Sequence, residues 1–329
     1  MPLQDKFGRA IRDLRISITD RCNYRCVYCR TGNEGAQFAD LPWTDYLRMA
    51  HVFVSLGITK IRLTGGEPLL RRDILDLVRE LSRLRTVEGH APELALTTNG
   101  HLLSSLAAPL REAGLDRVTV SMDAVDAERF ATITRVHGGY PQVLEGVREA
   151  RRAGLGPVKV NCVLLRGFND DQVEAFGRFA REEDVIVRFI EFMPLDEGRA
   201  WSSHSVVPLA EVLERMARFA AFEEMDHEPS STARRYRFRD GVGEFGIIAP
   251  VTLPFCGACS RIRLTSDGKI RTCLFSLREH DLHLAIRKGC DDASLARIID
   301  HAVAQKEERH HIGEPGFVQP GRAMVHIGG

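Results

Sequence analysis

Short apolar runs alternate with amphipathic helical patterns over the first 190 or so residues, and this alternation constrains the fold more than any other feature. The runs predict six strands, at residues 14–18, 60–64, 93–97, 117–121, 158–163 and 185–190. The helical patterns between them cover residues 44–56, 73–84, 103–113, 140–153 and 170–182, and Gly57, Gly114 and Gly154 follow three of them as C-caps. Strand–helix alternation indicates parallel strands joined by crossover helices.

Six strand–helix units are too few for a closed eight-fold barrel, so we expect an open, partial barrel or a doubly wound sheet. The length of 329 residues suggests roughly two domains. From about residue 196 the pattern becomes more irregular, with a β-like segment near 236–248 and a helical pattern near 292–306.

Polar and cationic side chains recur on one face of the predicted strands. Residues two apart share a face, which groups Arg15 with Ser17, Arg62 with Thr64, and Lys159 with Asn161. Their apolar neighbours would meet the helices, so the cations turn inward, where Lys and Arg need partners. One interpretation is internal ion pairs with inward carboxylates such as Glu191. The other is that Arg15, Arg62 and Lys159 meet an anionic ligand, above all phosphate.

Small polar residues follow three of the predicted strands. The segments are "TGGEP" at 64–68, "TTNG" at 97–100 and "SMD" at 121–123. In parallel β/α folds the active site lies at this carboxyl edge of the strands. The strand ends and the inward cations therefore predict a site in the same place.

Three cysteines, Cys22, Cys26 and Cys29, follow the first strand directly. A closed structural zinc site needs four protein ligands, and the segment contains no further cysteine or histidine. Thiolates are the usual ligands of iron–sulfur clusters, and three of them would leave one iron of a cubane cluster open to substrate or cofactor. The alternatives are a zinc site completed by a distant ligand and chance crowding.

A second group of three cysteines, Cys256, Cys259 and Cys273, lies in "FCGACSRIRL…RTCLF". Its spacing is similar to half a zinc ribbon, with His280 or His283 as completing ligands, so the spacing alone leaves a zinc site open. Cys162, on the apolar face of its strand, and the isolated Cys290 are interpreted as plain thiols.

The charge and cysteine distribution predicts a cytoplasmic protein. The formal net charge is zero, which gives no field that would draw the chain to nucleic acid or membrane. The charged N-terminus lacks the apolar region of a secretory signal, and no window approaches ~18 consecutive apolar residues. Six of the eight cysteines fall in the two groups, which favours metal ligands in a reducing compartment over disulfides.

The motifs resemble one family throughout. Cys-x3-Cys-x2-Cys with Tyr28 before its third cysteine, and the "GGEP" stretch, resemble the radical S-adenosylmethionine superfamily. In order along the chain, "RDLRISITDRCNYRCVYC", "KIRLTGGEPLLRRD", "LTTNG", "VSMDAVD", "VKVNCVL", "RFIEFMP", "FCGACSRIRL", "CLF" and the terminal "HIGG" resemble the GTP 3′,8-cyclases of molybdenum cofactor biosynthesis.

The resemblance implies two 4Fe–4S clusters, S-adenosylmethionine and GTP. Cys22, Cys26 and Cys29 would hold a cluster whose open iron binds S-adenosylmethionine, and Cys256, Cys259 and Cys273 a second cluster whose open iron faces the guanine. It places S-adenosylmethionine at Tyr28, Gly66, Ser121 and Met193, and GTP at Arg15, Arg62, Thr97, Lys159, Arg261, Ile262 and Arg263. Gly65 and Gly66 would expose backbone to the cofactor because they lack a Cβ.

The implied fold is a partial (β/α)6 TIM-type barrel over residues 1–195, with a C-terminal α+β extension over residues 196–329 that carries the second cluster and the Gly-Gly tail. The implied reaction is conversion of GTP to 3′,8-cyclo-GTP through a 5′-deoxyadenosyl radical, the first step of molybdenum cofactor biosynthesis. The product would pass to cyclic pyranopterin monophosphate synthase. The electron donor is not specified, and a homodimer is left open.

The chain departs from the family pattern at a few positions. Arg30-Thr31 replaces the usual Met-Pro after the third cysteine, Ser260 stands where asparagine is common, and Met122 and Ala124 replace the usual neighbours of Ser121. These departures concern positioning, since no ligand is lost. The alternative functions are a peptide-modifying radical enzyme with an auxiliary cluster, which usually has more C-terminal cysteines, and a non-catalytic zinc protein that binds nucleic acid, which would carry a basic patch.

The C-terminal Gly328 and Gly329 have two interpretations. A glycine pair at a chain end is ordinarily frayed. Glycine can also enter a narrow, occupied cavity, and the resemblance favours insertion beside the substrate, where the terminal carboxylate would meet the inward cations.

Overall fold

A computed structural model describes residues 3–30 and 35–327. Within these residues, twelve strands form one sheet: β1 Asp13–Ser17, β2 Lys60–Thr64, β3 Glu93–Thr98, β4 Arg117–Ser121, β5 Lys159–Leu164, β6 Ile186–Glu191, β7 Phe222–Glu224, β8 Arg234–Phe238, β9 Glu244–Ile248, β10 Arg261–Leu264, β11 Lys269–Arg271 and β12 His280–Asp281. The strands are ordered β12-β11-β10-β1-β2-β3-β4-β5-β6-β9-β8-β7.

The first six strands form the predicted partial barrel. Strands β1 to β6 lie side by side in chain order, and each pairs in parallel with the next. The register places Arg15 beside Arg62, Thr119 beside Lys159, and Asn161 beside Arg188. Parallel neighbours in chain order are the arrangement that right-handed β/α crossovers generate, so the prediction of a partial (β/α)6 barrel is confirmed.

The helices lie between and after these strands. They are α1 Trp43–Ser55, α2 Ile74–Ser82, α3 Leu103–Glu112, α4 Ala127–Thr134, α5 Gly139–Arg152, α6 Val173–Glu182, α7 Leu209–Phe219, α8 Leu282–Arg287, α9 Asp292–Ala304 and α10 Met324–Ile327. The sequence pattern does not predict α4, an eight-residue helix capped by the Asp126 side chain, which accepts a hydrogen bond from Arg129 N. Gly57, Gly114 and Gly154 have positive φ angles, as predicted for helix C-caps.

The C-terminal part of the chain extends both edges of the barrel sheet. Strand β9 pairs in parallel with β6, and β10 pairs in parallel with β1. Strands β8 and β7 continue antiparallel from β9, and β11 and β12 continue antiparallel from β10. Both proposed domains therefore contribute to one sheet, and the division at residue 195 stays a prediction.

The two faces of the barrel strands differ as the sequence predicts. Leu14, Ile16, Ile61 and Leu63 are at most 1% exposed and belong to the main hydrophobic core, on the helix side of the sheet. The opposite face carries polar residues into the barrel interior. Among the described residues, no helix has the length and hydropathy needed to cross a bilayer.

Candidate active site

Both cysteine triplets line one cavity inside the barrel. Cys22, Cys26 and Cys29 follow the C-terminal end of β1. Cys256 and Cys259 precede the N-terminal end of β10, and the antiparallel pairing of β11 with β10 returns Cys273 to that same end. Because β1 and β10 run in parallel, the triplets lie at opposite ends of a strand pair that is roughly 13 Å long.

The Gly65-Gly66 stretch fixes the loop that leads into the first triplet. Gly66 N donates to Thr19 O at 2.8 Å, and Glu67 N donates to Arg21 O at 2.7 Å. A Cβ at Gly65, whose φ is +152°, would overlap Thr19 O, and one at Gly66 would overlap Arg21 O. Glycine is therefore required because the backbone of residues 19–21 approaches this closely, which is a more direct reason than the cofactor contact that we predict from the sequence.

The first triplet has the donor chemistry of an iron–sulfur site. All three of its cysteines are free thiols that face the cavity. Burial raises the pKa of the Cys29 thiol to about 12, and burial is also the largest cause that raises the pKa of Cys22 and Cys26. A buried thiol with so high a pKa becomes a thiolate only when a metal replaces its proton. Three such thiols on one cavity wall suit iron in a sulfide cluster.

His310 lines the cavity beside the second triplet, whereas His280 and His283, the two histidines predicted as completing ligands of a zinc site, lie elsewhere. His283 Nε2 is 3.1 Å from Asp45 Oδ2, and His280 packs edge-to-face against His301. Neither histidine lines the cavity. No group of three or more His, Cys, Asp or Glu side chains converges on a single-ion site within residues 3–30 and 35–327.

Three inward arginines, Arg15, Arg62 and Arg188, form no ion pair with a carboxylate of the described residues. Arg62 donates to Thr97 Oγ1 at 3.2 Å, Arg188 donates to Asn161 Oδ1 at 2.9 Å, and both donate to Thr119 Oγ1. Arg15 Nε is buried without a hydrogen-bond partner.

The alternative of internal ion pairs to Glu191 is wrong. Glu191 accepts hydrogen bonds from Leu209 N, Val251 N and the backbone and hydroxyl of Thr252. It therefore fastens loops of the C-terminal extension. Within residues 3–30 and 35–327, Arg117 pairs with Glu93, but Arg15, Arg62, Lys159 and Arg188 form no ion pair with a carboxylate.

Crowding of like charges perturbs these cations. Burial, followed by the charges of Arg62, Arg15 and Arg117, lowers the pKa of Arg188 to about 9. Burial, followed by the Arg15 charge, lowers the pKa of Arg62 to about 10. Each cation disfavours its neighbour, and the charges of Asp13 and Glu93 offset only part of this effect, so a bound anion would relieve the repulsion that is left. The cation cluster is therefore built for a multiply charged anion.

Two residues predicted from the family to contact GTP are placed apart from the cavity. Lys159 does not line the cavity, whereas Asn161 does. Lys159 pairs with Thr119 and lies two residues closer than Asn161 to the N-terminal ends of the strands. Burial, followed by the charges of Arg188 and Arg117, lowers its pKa to about 7. The Ile262 side chain belongs to the hydrophobic core, so only its backbone can meet a ligand.

Sequence reasoning missed Arg188, which lines the cavity at the position that the other inward cations suggest. In β6 it alternates with the buried Val187 and Phe189, the same signal that identifies Arg15 and Arg62. The remaining predicted nucleotide and cofactor residues line the cavity: Arg15, Tyr28, Arg62, Gly66, Thr97, Ser121, Met193, Arg261 and Arg263.

Asp123, also missed, holds Tyr28 at the cavity wall. The Tyr28 hydroxyl donates to Asp123 Oδ2 at 2.7 Å, and Val163 N donates to Asp123 Oδ1 at 2.8 Å. Burial raises the pKa of Asp123 to about 6, although both hydrogen bonds oppose this. The carboxylate therefore connects the cysteine loop to the ends of β4 and β5.

We expect Asp123→Asn to weaken S-adenosylmethionine binding about tenfold, because the amide cannot accept from both donors and one buried donor loses its partner, at a cost of ~1.4 kcal/mol. Equilibrium dialysis with the cluster-loaded enzyme measures this. Asp116→Asn is the matched control, since Asp116 accepts from Leu94 N outside the cavity. Equal affinity in the Asp123 variant and the wild type would show that the pair does not position Tyr28.

The described end of the chain reaches the cavity. Met324 and Val325 of α10 line it, and Met324 N donates to Leu195 O at 3.1 Å. Arg322 anchors this turn through ion pairs with Asp267 and Glu279. Gly328 and Gly329 lie outside the described residues, and the chain that precedes them ends beside the first triplet.

The described residues that depart from the family pattern are each buried or hydrogen-bonded in their surroundings. Arg30 is 2% exposed and donates to the backbone oxygens of Asp20 and Gly35. Ser260 acts through its carbonyl, which accepts from Arg12 N and Asp13 N. Met122 and Ala124 are fully buried in the core. Thr31 lies outside the described residues.

Two family models match the chain. The model of the radical SAM superfamily matches residues 16–180, and the model described as molybdenum cofactor synthesis C matches residues 185–312. The first covers the end of β1, strands β2 to β5 and the first triplet. The second covers β6, both sheet extensions and the second triplet.

The chain is similar over its whole length to proteins named GTP 3′,8-cyclase. The one from Acidothermus cellulolyticus is 44% identical over 92% of this chain and 85% of that protein. The one from Moorella thermoacetica is 44% identical over 99% of this chain and 100% of that protein. Among solved structures, Streptococcus suis SuiB bound to S-adenosylmethionine has the same fold, with a TM-score of 0.62 and 13% identity over 88% of this chain and 68% of that one.

Proposed function

Since the chain belongs to the GTP 3′,8-cyclase family of the radical S-adenosylmethionine superfamily, we propose that it converts GTP to 3′,8-cyclo-GTP in molybdenum cofactor biosynthesis. The observation that carries the proposal is a single cavity with a cysteine triplet at each end and, between them, Arg15, Arg62 and Arg188, which form no ion pair within the described residues. A peptide substrate would not require this cation cluster, whereas a nucleoside triphosphate supplies several negative charges in one group.

The first triplet would hold the cluster that activates S-adenosylmethionine. Cys22, Cys26 and Cys29 provide three anchors, which leaves one iron of a 4Fe–4S cluster for the amino and carboxylate groups of the cofactor. When bound, the cluster and S-adenosylmethionine would supply the 5′-deoxyadenosyl radical for removal of the C3′ hydrogen of GTP. Addition of C3′ to C8 of the guanine would then need one further electron, from the external reductant, and one proton to give 3′,8-cyclo-GTP. Tyr28, Gly66, Ser121 and Met193 orient the cofactor from the cavity wall.

The residues between the triplets would bind GTP. We assign the triphosphate to Arg15, Arg62 and Arg188, because charge-assisted hydrogen bonds to phosphate would occupy their free N–H groups. Thr97, Arg261 and Arg263 also line this part of the cavity, with the backbone of Ile262 beside them. Lys159 adds positive charge from behind Arg188, and a bound triphosphate would raise its pKa toward the ordinary value of lysine.

The second triplet would face the base. Cys256, Cys259 and Cys273 leave one position of a second 4Fe–4S cluster open, at the end of the cavity opposite the first triplet. Held at both ends, GTP would keep its ribose near the first triplet and its guanine near the second. This fixed orientation, with water excluded by the enclosing barrel, is the protein's contribution to the reaction.

Anaerobic incubation of the iron–sulfur-loaded enzyme with a reductant, S-adenosylmethionine and GTP tests the proposal. We expect 5′-deoxyadenosine and a cyclised guanine nucleotide in equal amounts, and neither product when ATP replaces GTP. Mass spectrometry identifies the nucleotide, and deuterium at C3′ should appear in 5′-deoxyadenosine. Stoichiometric zinc in place of iron, or 5′-deoxyadenosine without a nucleotide product, would contradict the proposal.

The place of the reaction in the cell follows from the same proposal. We infer that the product passes to cyclic pyranopterin monophosphate synthase and that the chain works in the cytoplasm, as its cysteine distribution predicts. The electron donor must be a low-potential reductant, because S-adenosylmethionine cleavage is reductive. A homodimer stays a prediction that analytical ultracentrifugation tests.

We expect deletion of Gly328 and Gly329 to lower GTP conversion sharply while iron content and thermal stability stay near wild type. The reason is that α10 brings the chain end to the cavity, where a terminal carboxylate would meet the arginines. Gly329→Ala should also lower conversion if the tail enters a narrow space. A rate assay at saturating S-adenosylmethionine measures the effect, and full activity of the truncated enzyme would show that the tail is a frayed end.

A further inference from the structure

The segment that follows α9 joins the two loops that carry the second triplet. Lys306 is 2% exposed, and its Nζ donates to Arg261 O at 2.9 Å and to Thr272 O. Arg261 is two residues after Cys259, and Thr272 immediately precedes Cys273. One buried ammonium group therefore holds the backbone beside two cysteines that come from different loops.

Arg9 holds the remaining cysteine from the opposite end of the chain. Its guanidinium donates to Cys256 O at 2.9 Å, and to Glu307 O and Glu308 O at 2.6 Å each. Arg9 is 8% exposed, and its Nε donates to Asp5 Oδ2 at 2.6 Å. The Glu307 side chain completes the connection by accepting from Thr272 Oγ1 at 2.6 Å.

We define Arg9, Lys306 and Glu307 as the clasp. The clasp binds the backbone of Cys256, of Thr272 next to Cys273, and of Arg261 two residues after Cys259. These cysteines lie in two loops that β10 and β11 separate in the chain. These hydrogen bonds add to the antiparallel β10–β11 pairing, which already brings the two loops together. Groups that orient metal ligands through hydrogen bonds commonly affect both metal retention and metal electronics.

Lys306 differs from Arg9 in its position relative to the cavity. Lys306 lines the cavity together with Cys259 and Cys273, whereas Arg9 does not line it and forms an ion pair with Asp5. Lys306 has no ion-pair partner among the described residues, although the Glu307 carboxylate also acts on Cys273 with the opposite sign. A buried cation that forms no ion pair acts on a nearby anionic centre at low effective dielectric.

We propose that Lys306 and Arg9 are positioning residues for the second cluster, and that the Lys306 charge also raises the reduction potential of that cluster. This inference rests on the proposed function, because it requires a 4Fe–4S cluster at Cys256, Cys259 and Cys273. Each added electron makes a thiolate-bound cluster more negative, so a fixed cation favours the reduced state. Net charge and hydrogen bonding are established determinants of such potentials.

Three substitutions separate tethering from charge. Lys306→Arg keeps both the charge and the donors, and we expect it to retain the second cluster near the wild-type potential. Lys306→Gln keeps N–H donors without charge, and should retain the cluster at a more negative potential. Lys306→Met keeps the side-chain length but has neither charge nor N–H donors. We expect this variant to lose the second cluster and with it about half of the bound iron. Lys288→Met is the control, since Lys288 is exposed at the end of α8.

The measurements are iron and sulfide per chain and an anaerobic redox titration of the holoenzyme followed by electron paramagnetic resonance. The first cluster, identified by the change in its signal when S-adenosylmethionine is added, serves as the internal reference for folding. Arg9→Lys should lower second-cluster occupancy less than Arg9→Ala, because only lysine keeps a charged donor toward Cys256 O.

The outcomes distinguish this inference from the proposed function. A wild-type chain that binds no second cluster would overturn both. A wild-type chain with two clusters, together with Lys306→Gln at unchanged potential and Lys306→Met with full iron, would overturn the clasp alone. Equal damage in Lys306→Arg and Lys306→Met would also overturn it, because the charge and donors that arginine keeps would then have no effect. If Lys306→Met does not fold, the comparison of the Gln and Arg variants decides.

Discussion

Serine at any one of Cys22, Cys26 and Cys29 is expected to abolish reductive cleavage of S-adenosylmethionine. The hydroxyl is a hard, weakly acidic ligand that does not replace a thiolate on iron. With two anchors left, the cluster would lose the fixed orientation that keeps its open iron toward the cavity. The loop itself should persist, because Gly66 N and Glu67 N still bond to Thr19 O and Arg21 O.

Chromatographic measurement of 5′-deoxyadenosine after anaerobic reduction tests this expectation, with iron content measured on the same samples. Cys290→Ser is the matched control: Cys290 is a free, partly exposed cysteine that does not line the cavity, and this variant should match wild type. Retained 5′-deoxyadenosine formation in all three single variants would disprove the assignment of the first triplet.

Simultaneous replacement of Cys256, Cys259 and Cys273 by alanine is expected to remove about half the iron and all GTP cyclisation, while the first cluster survives. The triplets lie at opposite ends of the β1–β10 pair, and the first loop is fastened by residues 65–67 rather than by the second triplet. Loss of the second cluster should therefore leave the first cluster intact. GTP cyclisation should stop, because guanine would lose the group that orients it.

Iron analysis, the spectrum of the reduced first cluster and product analysis with GTP together decide this prediction. S-adenosylmethionine affinity should stay within a few-fold of wild type, because Tyr28 and Asp123 are untouched. Unchanged GTP binding and cyclisation in the triple variant would make the second triplet structural. A simultaneous loss of the first cluster would instead show that the two sites depend on each other for folding.

The element pattern could be predicted from the sequence because it is local. Strands β2 and β4 have the predicted bounds, and the other barrel strands differ from their predictions by one residue at an end or at both ends. The fifth predicted helix begins as a 3-10 turn, Asp170–Gln172, before α6. Helix α4 is missed because its eight residues give too short a periodic signal and its start depends on a single capping side chain.

Which side chains face the barrel interior was equally predictable, but which of them line the cavity was not. Alternation with period two assigns Arg15 and Arg62 to the inner face, and they line the cavity. The same alternation assigns Lys159 to that face, but its height in the barrel depends on register, which places it below the cavity beside Thr119. Arg188 carries the identical local signal, and it reaches the cavity because its register partner is Asn161.

The sequence by itself therefore determined the alternating architecture, the polar inner face of the barrel and the two cysteine triplets, because each of these is written in residues that are close together in the chain. Only the tertiary structure decided that both triplets share one cavity, that Glu191 fastens loops rather than pairing with arginine, and that Arg9 and Lys306 meet at the second triplet. These contacts join residues tens to hundreds of positions apart. They exist because β10 returns to pair with β1 and β9 returns to pair with β6, and no local pattern encodes these long-range strand pairings.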